Sequence, residues 1–89
     1  MSVKLYTANW CPYCHNAKRL LDEKGVAYEE INIEELGMSR KELAKITGGM
    51  TVPQIVINNE PIGGYDNLWA MEQNGELDKK LADRIISAG

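Results

Sequence analysis

The sequence predicts an α/β domain of element order βαβ-α-ββ-α-α, a four-stranded mixed sheet flanked by helices. Three observations carry that reading. An apolar strand, an amphipathic helix and a second strand follow one another at the start of the chain, and the right-handed crossover of such a βαβ unit leaves its strands parallel. Later, two short strands flank Asn58-Asn59, a pair tolerant of positive φ, which makes an antiparallel hairpin. Around them, apolar residues recur at helical spacing in segments bounded by capping residues. Eighty-nine residues fit one such domain, residues 1–89, with no room for a second core.

The elements follow in order. Val3-Lys4-Leu5-Tyr6-Thr7 alternates partly and reads as a strand. A helix over Pro12 to Lys24 begins with a proline at its first position, where no N–H is needed. It repeats Ala17, Leu20 and Leu21 on one face and stops at Gly25. Ala27 to Ile33 is the second strand, and Glu29 and Glu30 suit a sheet edge. Ser39 with Glu42 forms a capping box for a short helix through Leu43 and Ile46, ended by Gly48-Gly49. Gln54 to Ile57 and Glu60 to Gly63 are the hairpin strands. Asp66 is a candidate N-cap for a helix bearing Leu68 and Met71 and closed by Gly75. A last helix aligns Leu77, Leu81 and Ile85 at four-residue spacing.

The only two cysteines stand in Cys11-Pro12-Tyr13-Cys14, where the first strand gives way to the first helix. Two thiols three residues apart can close and reopen a small disulfide. At a helix N-terminus the unpaired N–H groups and the positive end of the macrodipole favour a thiolate, lowering a thiol's pKa. Cys11, at or just before the N-cap, is the expected nucleophile and the more exposed sulfur. Cys14, one turn in, is placed to resolve a mixed disulfide. Three other readings stand beside this one. A purely structural disulfide would close too small a loop to remove much chain entropy. Zinc would find two cysteines and His15, the only histidine, where it wants four ligands. Covalent haem attachment would use the string Cys11 to His15, but it predicts a mostly helical, exported protein.

Composition narrows the partners. A hydrophobic share of 44% and a charged share of 26% are those of an ordinary globular chain. The net charge of -3, with basic residues interleaved among acids, argues against a nucleic-acid partner. Met1 leads straight into a strand with no apolar leader, and no span approaches the ~18–20 apolar residues of a membrane helix. A reducing cytoplasm and no membrane partner are therefore expected, and there a Cys-x-x-Cys pair points to redox catalysis.

With these words in hand, the chain resembles a dithiol glutaredoxin of the thioredoxin fold from end to end. The resemblance rests on Leu5-Tyr6-Thr7, Cys11-Pro12-Tyr13-Cys14, Thr51-Val52-Pro53-Gln54 and Gly63-Gly64-Tyr65-Asp66, in that order. It implies a monomeric, glutathione-dependent thiol–disulfide oxidoreductase acting on protein disulfides and glutathione mixed disulfides. Glutathione would be the reducing co-substrate, with no tightly bound cofactor and no metal. It further implies a cis Val52-Pro53 peptide, with the Val52 backbone pairing with the cysteinyl part of glutathione, where an ordinary trans proline would start an edge strand. Tyr13, Thr51, Val52, Pro53, Gly64, Tyr65 and Asp66 would form the glutathione site. Asp66 would help bind the γ-glutamyl end or simply cap a helix, and Tyr13 would line the groove or merely cover the helix start.

The chain also departs from the family pattern. Ala8, Ile46 and Gly49 occupy places where glutaredoxins often carry basic or glutamine side chains for the tripeptide's carboxylates, leaving Lys45 as the nearest charge. Trp10 reads as a covering aromatic or a substrate contact, and His15 as a solvated helix residue. Two rivals follow from the same resemblance: a carrier reduced by thioredoxin reductase, and a module holding a [2Fe–2S] cluster through Cys11 and glutathione from two subunits. Pro12 and Tyr13 match the dithiol class, whereas the cluster carriers usually have Gly-Phe-Ser after a single cysteine.

Overall fold

A computed structural model describes residues 2–81. Strand β1 (Val3–Thr7) lies inside a four-stranded sheet of order β2-β1-β3-β4, where β2 is Glu29–Asn32, β3 is Gln54–Ile57 and β4 is Glu60–Gly63. The β1–β2 pair is parallel, as the crossover rule requires, and the other two pairs are antiparallel. Helix α1 (Pro12–Glu23) links β1 to β2. Two shorter helices, α2 (Ile33–Leu36) and α3 (Arg40–Thr47), lead to β3, and α4 (Tyr65–Asn74) follows β4.

Side-chain alternation along the strands explains why both faces are covered. Leu5, Ile55 and Ile57 pack with Ala17, Leu21, Leu68 and Leu77 on the face that carries α1 and α4. Tyr6 and Val56 point the other way and pack with Ile33 and Leu43 from α2 and α3. All four residues of β3 are buried for that reason. β4 is an edge and tolerates Pro61, which a central strand would not. Asn58 and Asn59 take φ of 51° and 67°, so the hairpin turn is the one read from the sequence.

Two elements differ from expectation. The second strand is Glu29–Asn32, shorter than Ala27 to Ile33, because Asn32 caps a new helix. Its Oδ1 accepts from the N–H groups of Glu34 and Glu35 at 2.9 and 3.2 Å, and Gly37 closes that helix in the left-handed region at φ 69°. Ile33, read as the end of a strand, is instead the buried first residue of α2. The capping box of α3 is present in full, with Ser39 and Glu42 exchanging side-chain and backbone bonds at 3.1 Å. Residues 76–81 are helical, which accommodates Leu77 and Leu81, whereas Ile85 lies outside the described residues. Lys24, just beyond α1, reaches Glu72 of α4 and Asp78, both at 2.7 Å, and fastens the far end of α1.

Candidate active site

The site is built where two central strands meet. Tyr6 of β1 pairs with Gln54 of β3, and the strands are antiparallel, so the chain leaves β1 toward Cys11 at the end of the sheet where it enters β3 from Pro53. Cys11 is the N-cap of α1 and Pro12 its first residue. The Cys14 backbone N–H donates to Cys11 Sγ at 3.2 Å and to the Cys11 carbonyl at 3.1 Å. The two cysteines are joined as a disulfide with their Cα atoms 5.2 Å apart. Both are buried, Cys11 at 8% exposure slightly less so than Cys14 at 3%. An N–H already directed at Cys11 Sγ, at the positive end of a helix, is a donor in place for a thiolate once the bond is reduced.

Beside the disulfide lies an open groove of about 460 Å³. Tyr13, Thr51, Val52, Pro53, Gly64, Tyr65 and Asp66 all line it, so the seven residues marked in the sequence for one ligand are brought together from three separate stretches of chain. The Val52-Pro53 peptide is cis. The rings of Tyr13 and Tyr65 face one another at 6.3 Å and form one wall.

Asp66 does not cap its helix. Gly64 holds the N-cap position of α4 in extended backbone, without a side-chain bond, because the helix begins two residues earlier than an Asp66 cap would place it, at Tyr65. Asp66 thus occupies the first turn, where a carboxylate meets the positive helix end and faces the groove.

Four residues contribute that sequence reasoning did not assign. Asn67 also lines the groove, and its Nδ2 donates to the Ile62 carbonyl at 3.1 Å, bracing the turn at Gly63-Gly64. Gln54 is buried, and its Nε2 donates to the Thr51 carbonyl at 2.9 Å, tying down the loop that carries Val52. Gly49 is the consequence: a Cβ there would stand 2.5 Å from Gln54 Nε2, so the glycine makes room for that side chain and is more than a missing cation. Arg40, not singled out from the sequence, donates from Nη1 to the Met50 carbonyl at 3.2 Å, next to Thr51. The readable signal for Gln54 was its place in the Thr-Val-Pro-Gln word. Nothing local marked Asn67 or Arg40.

On the β2 side, Glu30 Oε2 accepts from Lys18 Nζ and from Thr7 Oγ1, each at 2.8 Å. The Lys18 ammonium, assisted by Thr7, holds the Glu30 carboxyl below its ordinary range against an opposing contribution from burial. This cluster ties the middle of α1 to β1 and β2 behind the cysteines. Among the described residues no group of three or more metal-ligating side chains comes together.

Comparison with known proteins agrees with this geometry. The glutaredoxin family model matches residues 3–62. The chain is 46% identical to glutaredoxin 3 of Escherichia coli strain K12 over 80 residues, covering 90% of this chain and 96% of that one. It is 48% identical to a glutaredoxin of Pseudomonas aeruginosa over 80 residues, covering 90% and 95%. Among solved structures it resembles a buckwheat glutaredoxin–glutathione complex (TM-score 0.81, 28% identity, 91% of this chain and 76% of that one). It also resembles the holo form of glutaredoxin C1 from Populus tremula x tremuloides (TM-score 0.83, 33% identity, 91% and 76%). The mixed sheet, the dithiol pair at the head of α1 and these relatives together make the chain a member of the glutaredoxin family of thiol–disulfide oxidoreductases.

Proposed function

We propose that this glutaredoxin is a glutathione-dependent reductase of protein disulfides and glutathione mixed disulfides, a monomeric single domain working in a reducing cytoplasm. The observation that carries the reading is the groove beside the disulfide, in which Val52, Tyr65 and Asp66 meet. Its volume and lining suit a tripeptide, and the similar buckwheat protein is a glutathione complex. In this reading the Cys11 thiolate attacks the glutathione sulfur of a mixed disulfide and expels the other thiolate. A second glutathione then displaces the first from Cys11 and leaves as glutathione disulfide. On protein disulfides Cys14 performs the second displacement, and two glutathiones restore the dithiol.

The chain's own groups do the positioning. Cys14 N–H and the helix end stabilise Cys11 as thiolate, both as attacking and as leaving group. The Val52 backbone, held by Gln54 through Thr51, offers strand-like pairing to the cysteinyl unit. Asp66 accepts from the γ-glutamyl ammonium, while backbone N–H groups at the start of α4 receive its carboxylate. The test is an assay with glutathione, glutathione reductase and the mixed disulfide of glutathione with 2-mercaptoethanol, run beside one with thioredoxin reductase. Turnover in the first and none in the second is expected. Turnover only in the second would replace glutathione by a reductase as electron donor.

A further inference from the structure

A second depression, of about 210 Å³, lies at the head of α1 and is lined by Asn9, Trp10, Cys11, Pro12 and His15. It shares no residue with the groove, and Cys11 opens onto it. Residues two apart on an α-helix project about 200° apart. Tyr13, in the groove, and His15, in the second depression, therefore face opposite sides of the helix start.

Trp10 stands over this depression at 87% exposure, the highest among the exposed large apolar side chains. The backbone that carries it is nevertheless tied down. The Asn9 N–H donates to the Glu34 carboxylate, and Asn32 Nδ2 donates to Asn9 Oδ1 at 2.8 Å. Asn32 in turn caps α2, which carries Glu34, so the loop before Cys11 is braced against β2 and α2. An indole held out in water on a braced loop, adjacent to a redox sulfur, has the features of a binding anchor. The backbone part of its ordering cost is already met, and its apolar surface is left for a partner to cover.

We propose that this ledge is a docking subsite for polypeptide disulfides, distinct from the tripeptide groove. The occupant is an extended segment whose cysteine bonds to Cys11, with one flank along Val52 and the opposite flank placing a large apolar or aromatic side chain on Trp10. Residues two apart in an extended chain lie about 7 Å apart on the same face, within reach of the ledge from Cys11. Glutathione, with a single residue on each side of its cysteine, is accommodated by the groove alone.

This inference rests on the reading of Cys11 as the nucleophile. The Cys11 thiolate displaces one substrate sulfur, forming the mixed disulfide, and the released thiolate takes a proton from solvent. The Cys14 thiolate then displaces the bonded substrate sulfur. The Cys11–Cys14 disulfide closes, two electrons have passed to the substrate, and the substrate leaves as a dithiol.

The experiment compares the parent chain, Trp10→Ala and Trp10→Phe on three substrates. They are a peptide with an internal disulfide and phenylalanine two positions from each cysteine, the same peptide with glycine there, and the mixed disulfide of glutathione with 2-mercaptoethanol. Trp10→Ala should lower kcat/KM on the phenylalanine peptide about fivefold to thirtyfold, the range of an anchor residue. The other two rates should stay within about twofold, as for an exposed substitution elsewhere. Trp10→Phe should recover most of the loss. An unchanged rate on the phenylalanine peptide, or an equal loss on all three substrates, overturns the subsite. If the parent fails on the glutathione mixed disulfide but keeps a Trp10-dependent preference for the phenylalanine peptide, the glutathione reading falls and the subsite stands.

Discussion

Replacing Gly63 by alanine should weaken fold and groove together. Gly63 ends β4 with φ +116°, a region that L side chains rarely occupy, and forcing alanine into it costs about 1–2 kcal/mol. A methyl at this position would stand 3.0 Å from Asn67 Cγ and closer still to its Nδ2, so the Asn67 side chain must swing away. That motion breaks its bond to the Ile62 carbonyl, a loss of about 1 kcal/mol. The sum is about 2.5 kcal/mol, which in a domain of this size lowers Tm by about 10–20 °C. Asn67→Ala alone should cost about 1 kcal/mol, since it removes only the bond. In the Asn67→Ala background the added cost of Gly63→Ala should therefore fall to about 1.5 kcal/mol, a coupling of about 1 kcal/mol between the two sites. Urea denaturation of the four proteins measures the cycle. Strict additivity would refute the steric argument and leave backbone strain as the sole cost. Because Asn67 and Gly64 line the groove, Gly63→Ala should also raise the KM for glutathione at temperatures where the variant is still folded.

Three other outcomes are expected. Cys11→Ser should abolish activity, whereas Cys14→Ser should retain turnover of glutathione mixed disulfides and lose most turnover of protein disulfides; a folded but wholly inactive Cys14→Ser would remove the role assigned to Cys14. Glu30, whose carboxyl is held below its ordinary value of 4.5 chiefly by Lys18, binds fewer protons folded than unfolded as pH falls through that range. Its stabilisation is complete at higher pH and disappears as pH drops past the lowered value, so Glu30→Gln should flatten the acid limb of stability. The effect should stay below about 1 kcal/mol because both partners are partly in solvent, and identical urea midpoints against pH in parent and variant would contradict it. Asp66→Ala should raise the KM for glutathione more than Lys45→Ala does. The parent's KM should change only weakly with salt, and a steep salt dependence removed by Lys45→Ala would assign recognition to that lysine instead.

Much of this structure is written in local pattern. The proline at the head of α1, the Ser39–Glu42 box and the Asn58-Asn59 turn each have a short-range physical cause, and each appears where the sequence puts it. Helix α2 leaves no periodicity in its four residues to be read, although Asn32 and Gly37 are sound capping signals for a short turn of helix. The place of Asp66 is ambiguous in sequence because aspartate is favoured both at the N-cap and in the first turn, and only the backbone of Gly64 separates the two. The groove is a different matter. Its lining comes from residues near 13, 52 and 65, which no window along the chain could bring together, and family resemblance supplied what local chemistry could not. The bonds of Gln54, Asn67 and Arg40 each run to a backbone carbonyl within ten residues, yet polar side chains with many possible partners announce none of them in advance.

The pairing of Tyr6 with Gln54 has a consequence for how the molecule comes apart. The disulfide and the prolyl loop hang from the two inner strands, each of which is hydrogen-bonded along both of its edges. The opposite wall of the groove hangs from β4, which is paired on one edge only, and from the first turn of α4, which has no side-chain cap. In native-state hydrogen exchange, amides of β1 and β3 should therefore open last and those around residues 63–67 well before them. Between those two events a partly opened state is expected, in which the dithiol remains seated while the groove proposed for glutathione has gone. In mild denaturant, alkylation by small reagents should then persist to a higher concentration than glutathione turnover does, so that reactivity and recognition fail separately in a chain of 89 residues.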